Sequence, residues 1–103
     1  MIIVQTAFAL PRPFTREEAR SIFESTAPTY RGVPGLFRKH YVLSQDGMTA
    51  GGIYLWNSRE DAEAMYTKAW HSFVRDKYRT DPVVTYFESP VTVDNVAQRV
   101  LTG

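Results

Sequence analysis

Apolar residues recur along the chain with two different periods, and turns rich in proline or glycine separate the segments. A β-branched, apolar run from Ile2 to Ala9 predicts a first strand. A capping box then predicts a helix start, because the Thr15 hydroxyl and the Glu18 carboxylate satisfy amides that the first turn leaves bare. Apolar residues follow at spacings of three and four as far as Tyr30, and we expect this helix to end near Pro28.

In the middle of the chain, the residues on both sides of a turn alternate as they do in strands with two unlike faces. Leu36 to Ser44 and Met48 to Trp56 predict two strands, and Gln45-Asp46-Gly47 predicts the hairpin connection, since Asp-Gly readily supplies positive φ angles. Cap residues from Asn57 onward predict the start of a second helix. Its apolar stripe comprises Ala62, Met65, Tyr66, Ala69, Trp70 and Phe73.

The end of the chain holds one more strand and a tail. Val83 to Glu88 predicts the final strand, and Pro90 closes it. In the tail, residues 91–103, a spacing of apolar residues indicates a short amphipathic helix. The order β-α-β-β-α-β over residues 1–103 predicts one α+β domain, in which two helices cover one face of a four-stranded antiparallel sheet.

The uncovered face of that sheet carries the functional prediction. Alternation places Gly52, Tyr54 and Trp56 on one side of the third strand, opposite Ile53 and Leu55. We expect Tyr54 and Trp56 to lie on the side without helices, where exposed aromatic rings mark an interface or a ligand site. A homodimer that stacks two sheets face to face would cover these rings and leave a lined cavity in each subunit.

Composition narrows the classes of partner. Hydrophobic residues make up 44% and charged residues 22%, as in ordinary globular proteins. Twelve basic residues, scattered along the chain, stand against eleven acidic ones, which disfavours a nucleic-acid partner. The absence of cysteine excludes disulfides and thiolate metal sites. With no signal-like start and no apolar run near the ~20 residues that span a bilayer, we expect a cytoplasmic protein without a membrane partner.

Three segments resemble a known family. Ala50-Gly51-Gly52-Ile53-Tyr54-Leu55-Trp56, Pro34-Gly35-Leu36-Phe37 and the stretch from Phe8 to Phe14 are similar to the YdhR-like monooxygenase family of the dimeric α/β-barrel superfamily. The resemblance implies a ferredoxin-like subunit, a homodimer and oxygenase activity. It supplies no set of catalytic residues. Related barrels include enzymes that oxidise phenolic or quinol-like substrates with O₂ and with neither metal nor flavin.

Such chemistry needs a base, a donor for the oxyanion and an aromatic pocket. His40 is the predicted base, because its unperturbed pKa lies nearest to neutral pH, and Arg38 is the predicted partner of the anion. The predicted substrate-binding residues are Tyr54, Trp56, Gly52 and Tyr86. We therefore expect a monooxygenase without a cofactor, which acts on a small quinol- or phenol-like aromatic metabolite in a pocket between the sheet and the helices of a homodimer.

Several alternatives stay open at this point. Arg38 and His40 could be a solvated strand edge, and Gly51-Gly52 could mark a β-bulge or a close backbone approach. His71 is expected on the surface, and two isolated histidines make a poor metal site. The same cavity could also bind or sense a small ligand without turnover. Haem binding is the least favoured function, because Trp70 and His71 do not match the positions that haem-binding relatives use.

Overall fold

A four-stranded antiparallel sheet and three helices form most of the computed structural model, which describes residues 1–103. The elements are β1 (Ile2–Ala9), α1 (Arg16–Tyr30), β2 (Leu36–Leu43), β3 (Thr49–Trp56), α2 (Arg59–Met65), α3 (Lys68–Tyr78), β4 (Val83–Glu88), β5 (Val91–Asp94) and β6 (Arg99–Thr102). The large sheet has the order β2-β3-β1-β4 with antiparallel neighbours throughout. The predicted α+β class and ferredoxin-like order are confirmed.

The start of α1 agrees with the prediction from its capping box. The Glu18 amide donates to the Thr15 hydroxyl, and the Thr15 amide donates to the Glu18 carboxylate, each at 3.1 Å. The helix continues through Pro28 to Tyr30, two residues further than predicted. Pro28 lacks an amide donor and crowds the carbonyl four residues earlier, but Tyr30 is buried and accepts from Trp70 of α3, which holds the last turn in place.

The predicted second helix is two helices, which corrects the single stripe expected from the sequence. Tyr66 leaves the helical conformation, and the Thr67 hydroxyl caps a new helix by accepting from the amide of Trp70 at 3.2 Å. Because the helix is interrupted at Tyr66, the apolar face of α3 does not continue the stripe of α2. The face of α3 that packs on the sheet therefore carries Trp70, Val74 and Tyr78, while Phe73 is 39% exposed.

The tail forms a hairpin of β5 and β6, so the predicted amphipathic helix is wrong. The Asp94 carboxylate accepts from the amides of Val96 and Ala97 and thereby stabilises a turn, and Gln98 adopts a positive φ of 53°. The hairpin leaves apolar side chains exposed, including Val93 and Val96. No helix in the chain combines the length and the apolar character that crossing a lipid bilayer would require.

The helices cover the face of the sheet that carries Tyr54 and Trp56, which is opposite to the expected side. Trp56 is fully buried and Tyr54 is 1% exposed. Strand β1 determines the covered side, because its buried Val4 lies opposite Tyr54 in the register. Alternation separates two faces of a strand but does not say which one the helices cover.

The face without helices, called the open face below, is defined by strand register. Its members are Ile3, Gln5, Ala7, Arg38, His40, Val42, Ile53, Leu55, Val83, Thr85 and Phe87. The strand irregularity lies between Leu36 and Arg38 rather than at Gly51-Gly52, so a bulge at the glycines is wrong. The close approach is confirmed, since a Cβ on Gly51 would collide with the carbonyl oxygen of Thr6.

Candidate functional site

A group of aromatic side chains fills the space between the sheet and the helices. This aromatic cluster comprises Tyr30, Tyr41, Tyr54, Trp56, Tyr66 and Trp70. Each indole donates to a phenol at 3.0 Å, Trp56 to the Tyr66 hydroxyl and Trp70 to the Tyr30 hydroxyl. The rings meet mostly edge to face, as aromatic groups prefer, so the cluster is ordered and both indole N–H groups have an acceptor.

One lysine lies inside this aromatic group. The Nζ atom of Lys39 is 3.4 Å from the ring centroid of Tyr30, 3.8 Å from that of Tyr41 and 4.7 Å from that of Tyr54. Its amine forms no ion pair within 4.0 Å and no hydrogen bond to the protein. Burial disfavours the ammonium form and lowers the pKa of Lys39 to about 7.

The strand pattern explains how a lysine reaches this position. Lys39 lies on the edge strand β2, directly opposite Tyr54, and alternation places it on the same side as Tyr41. Gly52 provides the room that the lysine stem needs. A Cβ at Gly52 would lie 2.9 Å from the Tyr54 ring and 3.1 Å from Cε of Lys39.

Three hollows adjoin the aromatic cluster. An inner cavity of about 20 Å³ lies between Lys39, Thr6 and Trp70 and has room for about one water molecule. An outer groove of about 250 Å³ lies beside Lys39, between the end of α1 and the start of β2. A larger groove of about 700 Å³ runs between α1 and the β2–β3 turn, and Tyr41 lines all three hollows.

The phenols of Tyr41, Tyr54 and Tyr66 stay protonated at neutral pH. Burial raises the pKa of Tyr54, Tyr66 and Tyr41, because a phenolate would lose its hydration there. Among these three phenols and Lys39, the lysine is the group whose pKa lies near neutral pH. The arrangement offers a proton acceptor surrounded by aromatic rings and neutral hydroxyl groups.

The structure divides the residues that the sequence analysis grouped together. Gly52, Tyr54 and Trp56 lie on the covered face, and Tyr86 borders them, with its ring 6.1 Å from that of Tyr66. Arg38 and His40 are exposed on the open face, because they alternate with Lys39 along β2. The two groups therefore lie on opposite faces of the sheet. A catalytic role for Arg38 and His40 stays a prediction.

Sequence reasoning missed Lys39 as a site residue, together with its neighbours Tyr30 and Tyr66. The usable signal was the position of Lys39 between aromatic and aliphatic residues on one side of a strand. His71, expected on the surface, is half-buried with its ring edge-on to Trp70 at 5.1 Å. No three side chains of His, Asp or Glu form a group that could hold a metal ion.

Comparison with protein families gives one match that covers most of the chain. Residues 3–93 match the model of the family described as "Putative mono-oxygenase ydhR". No curated protein matches the chain.

Solved structures with the same fold are themselves described as monooxygenases. A "putative antibiotic biosynthesis monooxygenase" from Deinococcus radiodurans has a TM-score of 0.66 at 14% identity, covering 91% of this chain and 97% of that one. The ActVA-Orf6 monooxygenase of Streptomyces coelicolor, in complex with nanaomycin D, has a TM-score of 0.65 at 16% identity, covering 85% and 86%. SnoaB, a cofactor-independent oxygenase from Streptomyces nogalater, has a TM-score of 0.64 at 17% identity, covering 89% and 95%.

Proposed function

We propose, from the premise that this chain belongs to the ydhR mono-oxygenase family, that it is a cofactor-independent monooxygenase acting on a small phenol or quinol. The observation that carries this proposal is Lys39, an amine without a carboxylate partner among three tyrosine rings. SnoaB, which shares the fold, is described as a cofactor-independent oxygenase, which supports the same chemistry here. The proposed site is the aromatic cluster under the helices.

The proposed first step is a proton transfer. The neutral amine of Lys39 takes the proton of a substrate hydroxyl, and the resulting ammonium holds the phenolate by charge. The phenolate is then electron-rich enough to reduce O₂. One oxygen atom is added to the ring and the other leaves as water with the two hydrogens that the substrate loses, so that a phenol gives a quinone and a quinol gives a hydroxyquinone.

The available space sets a condition on substrate binding. An aromatic ring does not fit in a cavity of about 20 Å³, so side chains at its border must move when substrate enters. Phe73 borders this cavity and is 39% exposed, which leaves it free to rotate outward. The outer groove beside Lys39 provides a second approach to the amine.

Oxygen uptake with simple quinols tests the proposal. Lys39→Met should reduce the enzymatic rate by roughly 10²–10⁴-fold, the range for loss of a general base. Lys39→Arg keeps a charge but offers no base and should be equally slow. The wild-type rate should rise as the pH increases through about 7, because the amine must first lose its proton.

A comparison with His40→Ala distinguishes this site from the open face. If His40→Ala abolishes oxygen uptake while Lys39→Met leaves it unchanged, the base is His40 and the proposed site is wrong. If quinols bind to the wild-type protein and no oxygen is consumed, the chain is a ligand-binding module. Binding without turnover would also fit the same aromatic lining.

We also propose that the chain forms a homodimer through the open face. Val83 is 65% exposed and Phe87 is 48% exposed on this face, alongside the half-buried Ile53 and Leu55. Apolar side chains of this size on one sheet surface favour coverage by another protein surface. In such a dimer Arg38 and His40 would lie at the subunit interface or its edge.

A further inference from the structure

We propose that Lys39 is a covalent capture site for small planar aldehydes, with which its amine forms an imine. The proposal goes beyond oxygenase activity and does not depend on it. Its basis is the position of Nζ, in contact with three aromatic rings, free of ion pairs and at the border of two hollows. A lysine desolvated in an apolar pocket is the kind that serves as a nucleophile.

The ring faces attract the ammonium, but no negatively charged group pairs with it, and burial costs the charged form its hydration. Tyr30 on α1, Tyr41 on β2 and Tyr54 on β3 surround Nζ, and no carboxylate lies within ion-pair distance. Arg31 and Arg38, which line the outer groove, add only positive charge. Part of the amine population is therefore unprotonated at neutral pH, in agreement with the lowered pKa of Lys39.

A small molecule has a route to this amine. Nζ makes no hydrogen bond to the protein. Every side-chain nitrogen or oxygen that is fully enclosed has a hydrogen-bond partner, so Nζ is not fully enclosed and keeps contact with solvent. The outer groove of about 250 Å³ accommodates one aromatic ring beside the amine. The inner cavity is large enough for the water molecule that imine formation releases.

The reaction is balanced without any further reactant. The lone pair of Nζ attacks the carbonyl carbon, and proton transfer gives a carbinolamine. Loss of its hydroxyl group as water forms the C=N bond, so one amine and one aldehyde yield one imine and one water. An aromatic aldehyde is favoured over an aliphatic one, because its ring can stack against Tyr30 or Tyr41 at the groove.

The chain provides its own controls, because it contains three lysines, Lys39, Lys68 and Lys77. Lys68 and Lys77 are exposed on α3. Neither residue lines any of the three hollows beside the aromatic cluster. Selective reaction at Lys39 would therefore distinguish a specific reactive site from the general reactivity of lysine side chains.

The test is reductive trapping with benzaldehyde and cyanoborohydride at pH 7, with oxygen excluded. Peptide mapping should find a benzyl group on Lys39 at least about tenfold faster than on Lys68 or Lys77, with any label on the α-amino group of the chain counted separately. The double variant Lys68→Arg, Lys77→Arg should retain the label, and Lys39→Arg should lose it. Unfolding in urea should abolish the selectivity, which keeps the test valid if Lys39→Arg does not fold.

Equal labelling of all three lysines in the folded protein, or labelling that spares Lys39, overturns the proposal. Because the trapping needs no oxygen and no quinol, it succeeds or fails independently of the monooxygenase. An oxygenase that consumes quinols but leaves Lys39 unlabelled would retain the proposed function and lose the capture site.

Discussion

The three ring faces around Lys39 replace only part of the hydration that its ammonium has in water. The native pKa lies near 7, below the ordinary value of 10.5 that applies to the unfolded chain. Between these values the unfolded chain holds a proton that the native state lacks, so the free energy of unfolding increases with pH. Below pH 7 both states are protonated, and the cost of burying the charge is present in full.

We therefore expect the wild-type stability to rise between pH 7 and 9 by at most about 1.4 kcal/mol per pH unit relative to Lys39→Met. Buried tyrosines act in the opposite sense only near and above pH 10, because their pKa values are raised. Urea denaturation at several pH values measures the difference. Parallel pH profiles for the two proteins would show that Lys39 is charged and well solvated in the native state.

Trp56 has a structural role that follows from its position between β1 and the helices. It is fully buried, and its indole donates to Tyr66. Trp56→Ala should lower the free energy of unfolding by about 3–5 kcal/mol, as for other large-to-small changes in a core. Chemical denaturation provides the measurement. A loss below about 1 kcal/mol would contradict the packing described here.

The sequence predicts which side chains share a face of a strand better than it predicts whether that face is buried. Alternation correctly grouped Gly52, Tyr54 and Trp56, but the side on which they lie depends on β1 and on the partners offered by the helices. The strand pattern does not indicate that Lys39 is buried, because a lysine in an edge strand is usually solvated. Its burial depends on Tyr30, which belongs to α1 rather than to the strand itself.

Among the elements, the break between α2 and α3 depends on a single cap. Thr67→Ala removes the oxygen that accepts from the amide of Trp70. We expect a loss of about 1 kcal/mol in the free energy of unfolding, whereas Thr67→Ser should be close to wild type. Thermal or urea unfolding of the two variants tests this. Equal stability of both would show that the helix start does not need the hydroxyl group.

The strands and the first helix were predictable because each is bounded by local signals. The bounds of β1 agree residue for residue, and the capping box marks the start of α1. The helix break was not predictable from spacing, since apolar residues at intervals of three and four run on from Ala62 to Phe73. The tail was misread because its valines suit either a helix stripe or a short hairpin.

At the scale of the whole molecule, the open face gives a test of assembly. Phe87→Glu places a charge in the proposed dimer interface and should shift the protein from dimer to monomer, because a buried unpaired charge is costly. Ser72→Glu, at an exposed position on α3, is the matched control. Light scattering at micromolar concentration distinguishes the states. A wild-type mass of 11.8 kDa would refute the dimer.

The central position of β1 also affects how fast the sheet can form. Strand β1 pairs on one side with β3 and on the other with β4, so that Ile2 lies opposite both Trp56 and Glu88. Closing the long loops that connect β1 to β3 and to β4 is slow, because the chain loses conformational entropy before the strand pairs form and stabilise the sheet. During synthesis the apolar β1 has both edges unpaired until β3 is available and one edge unpaired until β4 follows, and in this interval aggregation competes with folding.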